Sequence, residues 1–234
     1  MPDLRPALLT DHYELTMVSA ALRDGTADRH CVFEVFTRRL PPGRRYGVVA
    51  GTARLIELIR EFRFDEAEVA FLRETGVVDG PTAEWLANYR FTGDIDGYAE
   101  GELYFPNSPI LTVSGTFAEC VLLETLTLSV LNHDSAVAAA AARMVTAARG
   151  RTLIEMGARR AQEQAAVAAA RAAYLAGFGF TSNLAAGRRY GIPTAGTAAH
   201  AFTLLHDDEP AAFASQVAAQ GKSTTLLVDT YDIA

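Results

Sequence analysis

Four groups of polar residues follow short apolar stretches in the second half of the sequence. Glu155, Gly157, Arg159 and Arg160 follow "TLI"; Thr181, Ser182 and Asn183 follow "FGF"; Gly196, Thr197 and His200 close "IPTAG"; Asp229, Thr230 and Asp232 close "TTLLVD". Their types suggest a chemistry. The guanidinium fork of Arg159 or Arg160 matches phosphate or carboxylate oxygens, unless Glu155 takes one of them in a salt bridge. Thr181, Ser182 and Asn183 offer hydroxyls and N–H groups to an anion at a helix start, unless Ser182 or Asn183 simply caps that helix. Asp229 and Asp232 offer oxygens to a sugar hydroxyl or, through water, to Mg²⁺; a turn is the plain alternative for Asp229. His200 lies in "AGTAAHAF" with no carboxylate, cysteine or second histidine at ligand spacing. By itself it reads as a core histidine. An anion site, sugar-binding oxygens and a metal together point to a phosphorylated sugar substrate.

These residues need a scaffold that gathers strand ends. Apolar strands alternate with helices over Ala161–Ala176, Asn183–Tyr190 and a segment opened by Asp208, Glu209 and Pro210 and ended by Gly221. Such alternation predicts parallel strands with crossover helices, whose ligands collect at the carboxyl ends of the strands. Four strands are expected. A closed β/α barrel has eight, so an incomplete barrel over 115–234 is the expectation. Two helices, Thr116–Leu131 and Ser135–Ala148, joined at Asn132, His133 and Asp134, introduce this half.

The first half, 1–114, reads as an α+β domain. Thr10 is the expected N-cap of a helix over Asp11–Arg23, ended by Gly25. "HCVFEVFTRRL" alternates like a strand. Helices are expected over Val48–Phe62 and Asp65–Glu74, the second capped by Asp65, with Trp85 in a third. "DIDGYAEGELYF" and "PILTVSG" are strand-like pieces broken by glycine and proline.

Composition narrows the class. The chain has 234 residues, is 50% hydrophobic and carries a net charge of −7, enough apolar content for a sizeable core. Lys222 is its single lysine, and no basic block suggests a nucleic-acid surface. Cys31 and Cys120 read as buried free thiols. The tract Val121–Leu131 is too short and too polar to span a bilayer, and Met1–Thr10 lacks the pattern of a signal peptide. A cytoplasmic protein without membrane contact is expected. "HDD" at 206–208 reads as helix capping rather than a metal cluster. "QGKST" lacks the upstream glycine of a phosphate-binding loop and precedes a strand.

"LLTDHYELTM", "FEVFTRRLP", "IEMGARRAQ", "GFGFTSNLAAGRRYGIPTAGTAAHAF" and "LLVDTYD" occur in this order. In that combination the chain resembles the nicotinate phosphoribosyltransferases over nearly its whole length. The resemblance implies the type II phosphoribosyltransferase fold, an N-terminal α+β domain followed by an irregular β/α barrel. It implies transfer of the phosphoribosyl group of phosphoribosyl pyrophosphate to nicotinate, giving nicotinate mononucleotide and pyrophosphate in NAD salvage. It further implies Mg²⁺, coupling to ATP hydrolysis through phosphorylated His200, and a homodimer with sites at the interface. Tyr13 then looks like the aromatic that stacks on the pyridine ring in the partner's site; its plain alternative is a core tyrosine. Arg159 and Arg160 look like holders of carboxylate or phosphate oxygens. Ser182 looks like a neighbour of the pyridine substituent, where a neutral residue avoids repelling a carboxylate. Asn183 and Thr197 belong to the same strand exits, and Asp229 and Asp232 look like part of the ribose floor. The small residues around His200 would leave room for a phosphate.

Two departures stand out. Gln162-Glu163-Gln164 stands where many members have a glycine, and members of the family continue beyond "LLVDTYD" into further strands. A quinolinate-using relative, or a non-catalytic truncated paralogue serving as a partner or dimerisation module, are the competing readings.

Overall fold

A computed structural model describes residues 5–232. Its first helix, α1 (His12–Asp24), is started by Asp11 rather than Thr10: Asp11 and Glu14 form a reciprocal capping box, and Gly25 closes the helix in the left-handed conformation. Leu15, Val18 and Ala21, at spacings of three, give α1 its buried face. Strand β1 (His30–Val35) follows, then a short β2 (Gly47–Val48). The expected helix from Val48 is shorter at its start, because Val48 is drawn into strand pairing with Leu103 and α2 runs over Thr52–Glu61. Next come α3 (Glu66–Glu74), capped by Asp65, and α4 (Gly80–Ala87), which carries Trp85. Strands β3 (Asp94–Gly97), β4 (Leu103–Tyr104) and β5 (Leu111–Thr116) complete this region. β1, β5 and β3 form an antiparallel sheet in that order, with Val32 opposite Ser114 and Ile95 opposite Val113.

The core beside this sheet is aromatic at its centre. Tyr89 is 2% exposed, and its ring centroid lies 5.6 Å from Phe62, 6.1 Å from Phe64 and 5.6 Å from Trp85. Its hydroxyl donates to the Glu119 carbonyl at 2.9 Å, so burial leaves no orphan polar atom there. Cys31 and Cys120 are free thiols, as expected, though only Cys120 is fully buried. The two side chains meet, and burial pushes the Cys120 thiol up to about 12.

A short helix, α5 (Phe117–Val121), leads into α6 (Glu124–Ala148), 25 residues long. Asn132, His133 and Asp134 do not interrupt it. Their polarity reads as a break in sequence, but Asp134 is 1% exposed and receives two bonds from Arg54, at 3.1 Å from Nε and 2.9 Å from Nη2. A charged side chain sits inside a helix because its partner comes from another element. At the next residue, the Ser135 hydroxyl bonds both the N–H and the carbonyl of Ala50. Gly51 adopts φ 99°, and a Cβ there would stand 3.0 Å from the Asp134 side chain, so glycine serves both conformation and space.

The remaining elements alternate. β6 (Ile154–Glu155) precedes a 3₁₀ turn over Gly157–Arg160 and then α7 (Glu163–Leu175), capped by Gln162. β7 (Phe180–Thr181) lies parallel to β6 and is followed by α8 (Leu184–Tyr190), α9 (His200–Leu204) and α10 (Glu209–Gln220), the last capped by Asp208 as expected from "HDD". Among the described residues no group of three or more His, Cys, Asp or Glu could hold a metal. The expected third strand shrinks to one parallel bridge, Thr181 to Thr194, and 224–229 forms no strand. Apolar character alone does not make a strand; a ladder needs a paired neighbour, and the third segment is itself held by a single bridge. No helix among the described residues is long and apolar enough to cross a membrane.

α7 packs on α6 through alanine. Ala138 and Ala172 are buried together with Val48 and Ala50, and side chains this small let the helix backbones approach closely. The polar tie across this seam is Arg171, whose Nη1 and Nη2 reach the Glu100 oxygens at 2.8 and 2.6 Å, with the Gly51 N–H also donating at 2.7 Å. Burial raises the Glu100 carboxyl, but the Arg171 bonds and charge and the backbone N–H groups outweigh it and hold the group below its usual range. Because the folded value is depressed, the stabilisation is complete above the unfolded carboxyl range near 4.5 and is lost as pH falls through the lower folded value. Arg171→Leu leaves a buried carboxylate without its cation, a change expected to cost about 3–5 kcal/mol in urea denaturation at neutral pH. Glu100→Gln is expected to flatten the acid limb of the stability profile.

Candidate active site

The strand ends are joined by a short chain of hydrogen bonds. Glu155 makes no ion pair with either neighbouring arginine. One of its carboxylate oxygens accepts from the Gly157 N–H at 2.5 Å and the other from the Thr181 hydroxyl at 2.9 Å. Thr181 is fully buried, and the same hydroxyl accepts from the Asn183 N–H at 3.1 Å. The backbone continues the link: the Ser182 N–H donates to the Glu155 carbonyl at 2.8 Å, and the Ala195 N–H to the Thr181 carbonyl at 3.0 Å. The first three exits are therefore fixed relative to one another through Glu155 and Thr181.

Freed of Glu155, Arg159 and Arg160 sit exposed on the 3₁₀ turn and form no ion pair among the described residues. Asn183 caps α8, its side-chain oxygen accepting from the Ala186 N–H at 3.0 Å. The capping role accounts for Asn183 and leaves the half-buried Ser182 hydroxyl for other contacts. Thr197 is exposed and its hydroxyl donates to the Ala198 carbonyl at 3.1 Å.

His200 begins α9 with its side chain 53% exposed, so it is no core histidine. Its Nδ1 lies 3.3 Å from the Thr230 hydroxyl and its Nε2 3.9 Å from an Asp229 carboxylate oxygen. The third and fourth segments thus meet side chain to side chain although no ladder joins them. If Nδ1 donates to Thr230, the lone pair is on Nε2. If it accepts, Nε2 carries the proton that faces Asp229. Asp232, three residues after Asp229, is exposed.

Tyr13 does not join this group. Its hydroxyl donates to Glu124 at the start of α6 at 3.0 Å, and its side chain remains 43% exposed, so it is no core tyrosine either. Local burial, followed by the Glu124 bond and charge, raises its hydroxyl above the usual 10.0. In sequence Glu124 reads only as the charge that breaks the apolar tract Val121–Leu131; its bond to Tyr13 is a tertiary fact. Sequence reasoning passed over Glu14, whose place three residues after Asp11 is the capping-box signal. Two clefts lie apart from the strand ends. One, of about 510 Å³, includes Phe36, Tyr104, Thr125 and Leu128. The other, of about 700 Å³, gathers Arg5, Arg54, Arg60, Arg63 and Arg189.

Comparison with known proteins places this geometry. Among solved structures, the fold is similar to human nicotinic acid phosphoribosyltransferase, with a TM-score of 0.77 and 37% identity over 84% of this chain and 40% of that one. It also matches the nicotinate-nucleotide pyrophosphorylase of Pyrococcus furiosus at TM-score 0.77, where 22% identity speaks for the fold alone. The class is thus a mixed α/β protein of the phosphoribosyltransferase kind. The nicotinate phosphoribosyltransferase N-terminal domain model matches residues 8–132, and the chain belongs to the nicotinate phosphoribosyltransferase family. Nicotinate phosphoribosyltransferase pncB1 of Mycobacterium tuberculosis (strain ATCC 25618 / H37Rv) is 65% identical over 97% of this chain and 52% of its own length. The chain spans about half the length of the curated relatives it matches.

Thr181→Val tests the link between exits. Valine keeps the volume but leaves the Asn183 N–H and a Glu155 oxygen without their shared partner. Thermal denaturation is expected to show a loss of about 1–3 kcal/mol.

Proposed function

We propose that this protein works in NAD salvage as a nicotinate phosphoribosyltransferase, joining nicotinate to the ribose of phosphoribosyl pyrophosphate with release of pyrophosphate. The observation that carries the reading is the coincidence of family membership with a set of exposed, chemically apt side chains at consecutive strand exits. In this reading residues 1–114 form the N-terminal α+β domain and 115–234 the first part of an irregular β/α barrel.

Roles follow from the contacts. The pyridine nitrogen attacks the anomeric carbon as its bond to pyrophosphate breaks; positive charge grows on the ribose and negative charge on the leaving group. Arg159 and Arg160, without carboxylate partners, hold the nicotinate carboxylate or phosphate oxygens. Fixed cations that need no reorganisation are worth most at such a point. Ser182 faces the pyridine substituent as a neutral donor, and Asn183 and Thr197 shape the adjoining exits. Asp229 and Asp232 take ribose hydroxyls. Asp229 and Asp232 would hold Mg²⁺ through water, and the ion would neutralise charge on the leaving pyrophosphate.

His200 is the phosphate acceptor for ATP. It is exposed, its neighbours Gly196, Ala198 and Ala201 are small, and Thr230 can hold Nδ1 while Nε2 keeps its lone pair. Attack on the γ-phosphate forms a nitrogen–phosphorus bond and frees ADP. The added charge then biases the contact with Asp229. A homodimer with Tyr13 stacking in the partner's site completes the proposal.

The test is product formation. Nicotinate mononucleotide is expected from nicotinate and phosphoribosyl pyrophosphate, faster with ATP; product from quinolinate alone, with carbon dioxide release, overturns the reading. Intact-mass measurement after ATP incubation is expected to show one acid-labile phosphate, absent in His200→Ala. No adduct in the unaltered protein refutes the role of His200.

A further inference from the structure

Glu14 is fully buried, yet no cation pairs with it among the described residues. Four donors reach its carboxylate. One oxygen accepts from the Thr125 N–H at 2.9 Å and from the Thr125 hydroxyl at 2.6 Å. The other accepts from the Asp11 N–H at 3.1 Å and from the Thr10 hydroxyl. Thr10 and Asp11 precede α1, and Thr125 lies in the first turn of α6, so the amino ends of two helices converge on one carboxylate. Each helix presents unpaired N–H groups and the positive end of its dipole there. Together they supply the compensation that a buried carboxylate otherwise takes from arginine or lysine.

This arrangement fixes the residues beside it. Tyr13 precedes Glu14, Glu124 precedes Thr125, and the Tyr13 hydroxyl donates to Glu124 across the same junction. We infer that Glu14 is the positioning residue for Tyr13: by tying the start of α1 to the start of α6, it sets the direction in which the Tyr13 ring is presented. The inference rests on the proposed role of Tyr13 as the aromatic that stacks on the pyridine ring. Glu14 itself touches no substrate.

Glu14→Gln replaces two acceptor oxygens by one oxygen and one NH₂ group that faces donors. Thr125→Val removes one hydroxyl at the far side of the junction while keeping the Thr125 N–H bond to Glu14, and provides a milder variant that keeps the inference testable should Glu14→Gln fail to fold. Steady-state kinetics on the whole protein, with nicotinate and phosphoribosyl pyrophosphate varied separately, reads the effect. Both variants are expected to raise KM for nicotinate, Glu14→Gln by about tenfold, with kcat and KM for phosphoribosyl pyrophosphate within about twofold of the parent. In a Tyr13→Ala background neither is expected to add a further loss, because residues acting as one unit are not additive. Ring-labelled tyrosine spectra give a readout that needs no turnover: the Tyr13 ring resonances are expected to shift in both variants, as the ring leaves the place that its bond to Glu124 records. Unchanged nicotinate KM and unchanged Tyr13 ring spectra in both variants, alongside a raised KM in Tyr13→Ala, overturn the inference, as does simple additivity. An unchanged KM in Tyr13→Ala instead removes the stacking role on which the inference rests.

Discussion

The ion pair between Arg171 and Glu100 is the contact on which the two halves of the molecule depend. Alanine-lined helices pack closely but slide easily, since small side chains interlock weakly. A planar guanidinium with two short bonds to one carboxylate fixes distance and direction together. Arg54 with Asp134, and Ser135 with Ala50, do the same for α6 against the loop that starts α2. These ties run from the sheet-containing region to the helices that carry the strand exits. The exits are set by a skeleton in which buried charge compensates buried charge, beside an apolar core centred on Tyr89.

Within that skeleton the strand exits divide their work. Glu155 and Thr181 use up their polar atoms on one another and on backbone, so they hold positions and leave little for a ligand. Arg159, Arg160, Ser182 and His200 retain polar atoms that can face outward. The separation makes chemical sense. A group that must meet an anion or accept a phosphate needs free donors or a lone pair, and it must be held by neighbours that are already satisfied.

Local signals were legible in the sequence and distant ones were not. Asp65, Asn183 and Asp208 start their helices as read, because a cap is decided within three residues. Gly25 and Gly177 also stand where helices end. The same logic missed Asp11 in favour of Thr10 by a single residue, since both types cap well and only the reciprocal bond with Glu14 separates them. Asn132, His133 and Asp134 misled because the partner that makes Asp134 tolerable, Arg54, is remote in sequence. The segment 224–229 misled for the opposite reason: its pattern suits a strand, and no neighbour pairs with it. The strand exits were named from pattern, but the bonds that join them, and the meeting of His200 with Thr230 and Asp229, are tertiary facts. Glu100 and Arg171 carried no periodic or motif signal that sets them apart from a solvated surface charge.

The length of α6 has a mechanical consequence. At 1.5 Å per residue it spans about 37 Å, and its sequence contains neither proline nor glycine to absorb a bend. Its first turn meets Glu14 and Tyr13, while near its far end Val145 packs on Gly177, the turn that delivers the chain into β7. A rod stiff along its length acts as a ruler: it sets the distance between the junction at Glu14 and the turn that leads into Thr181 and Ser182.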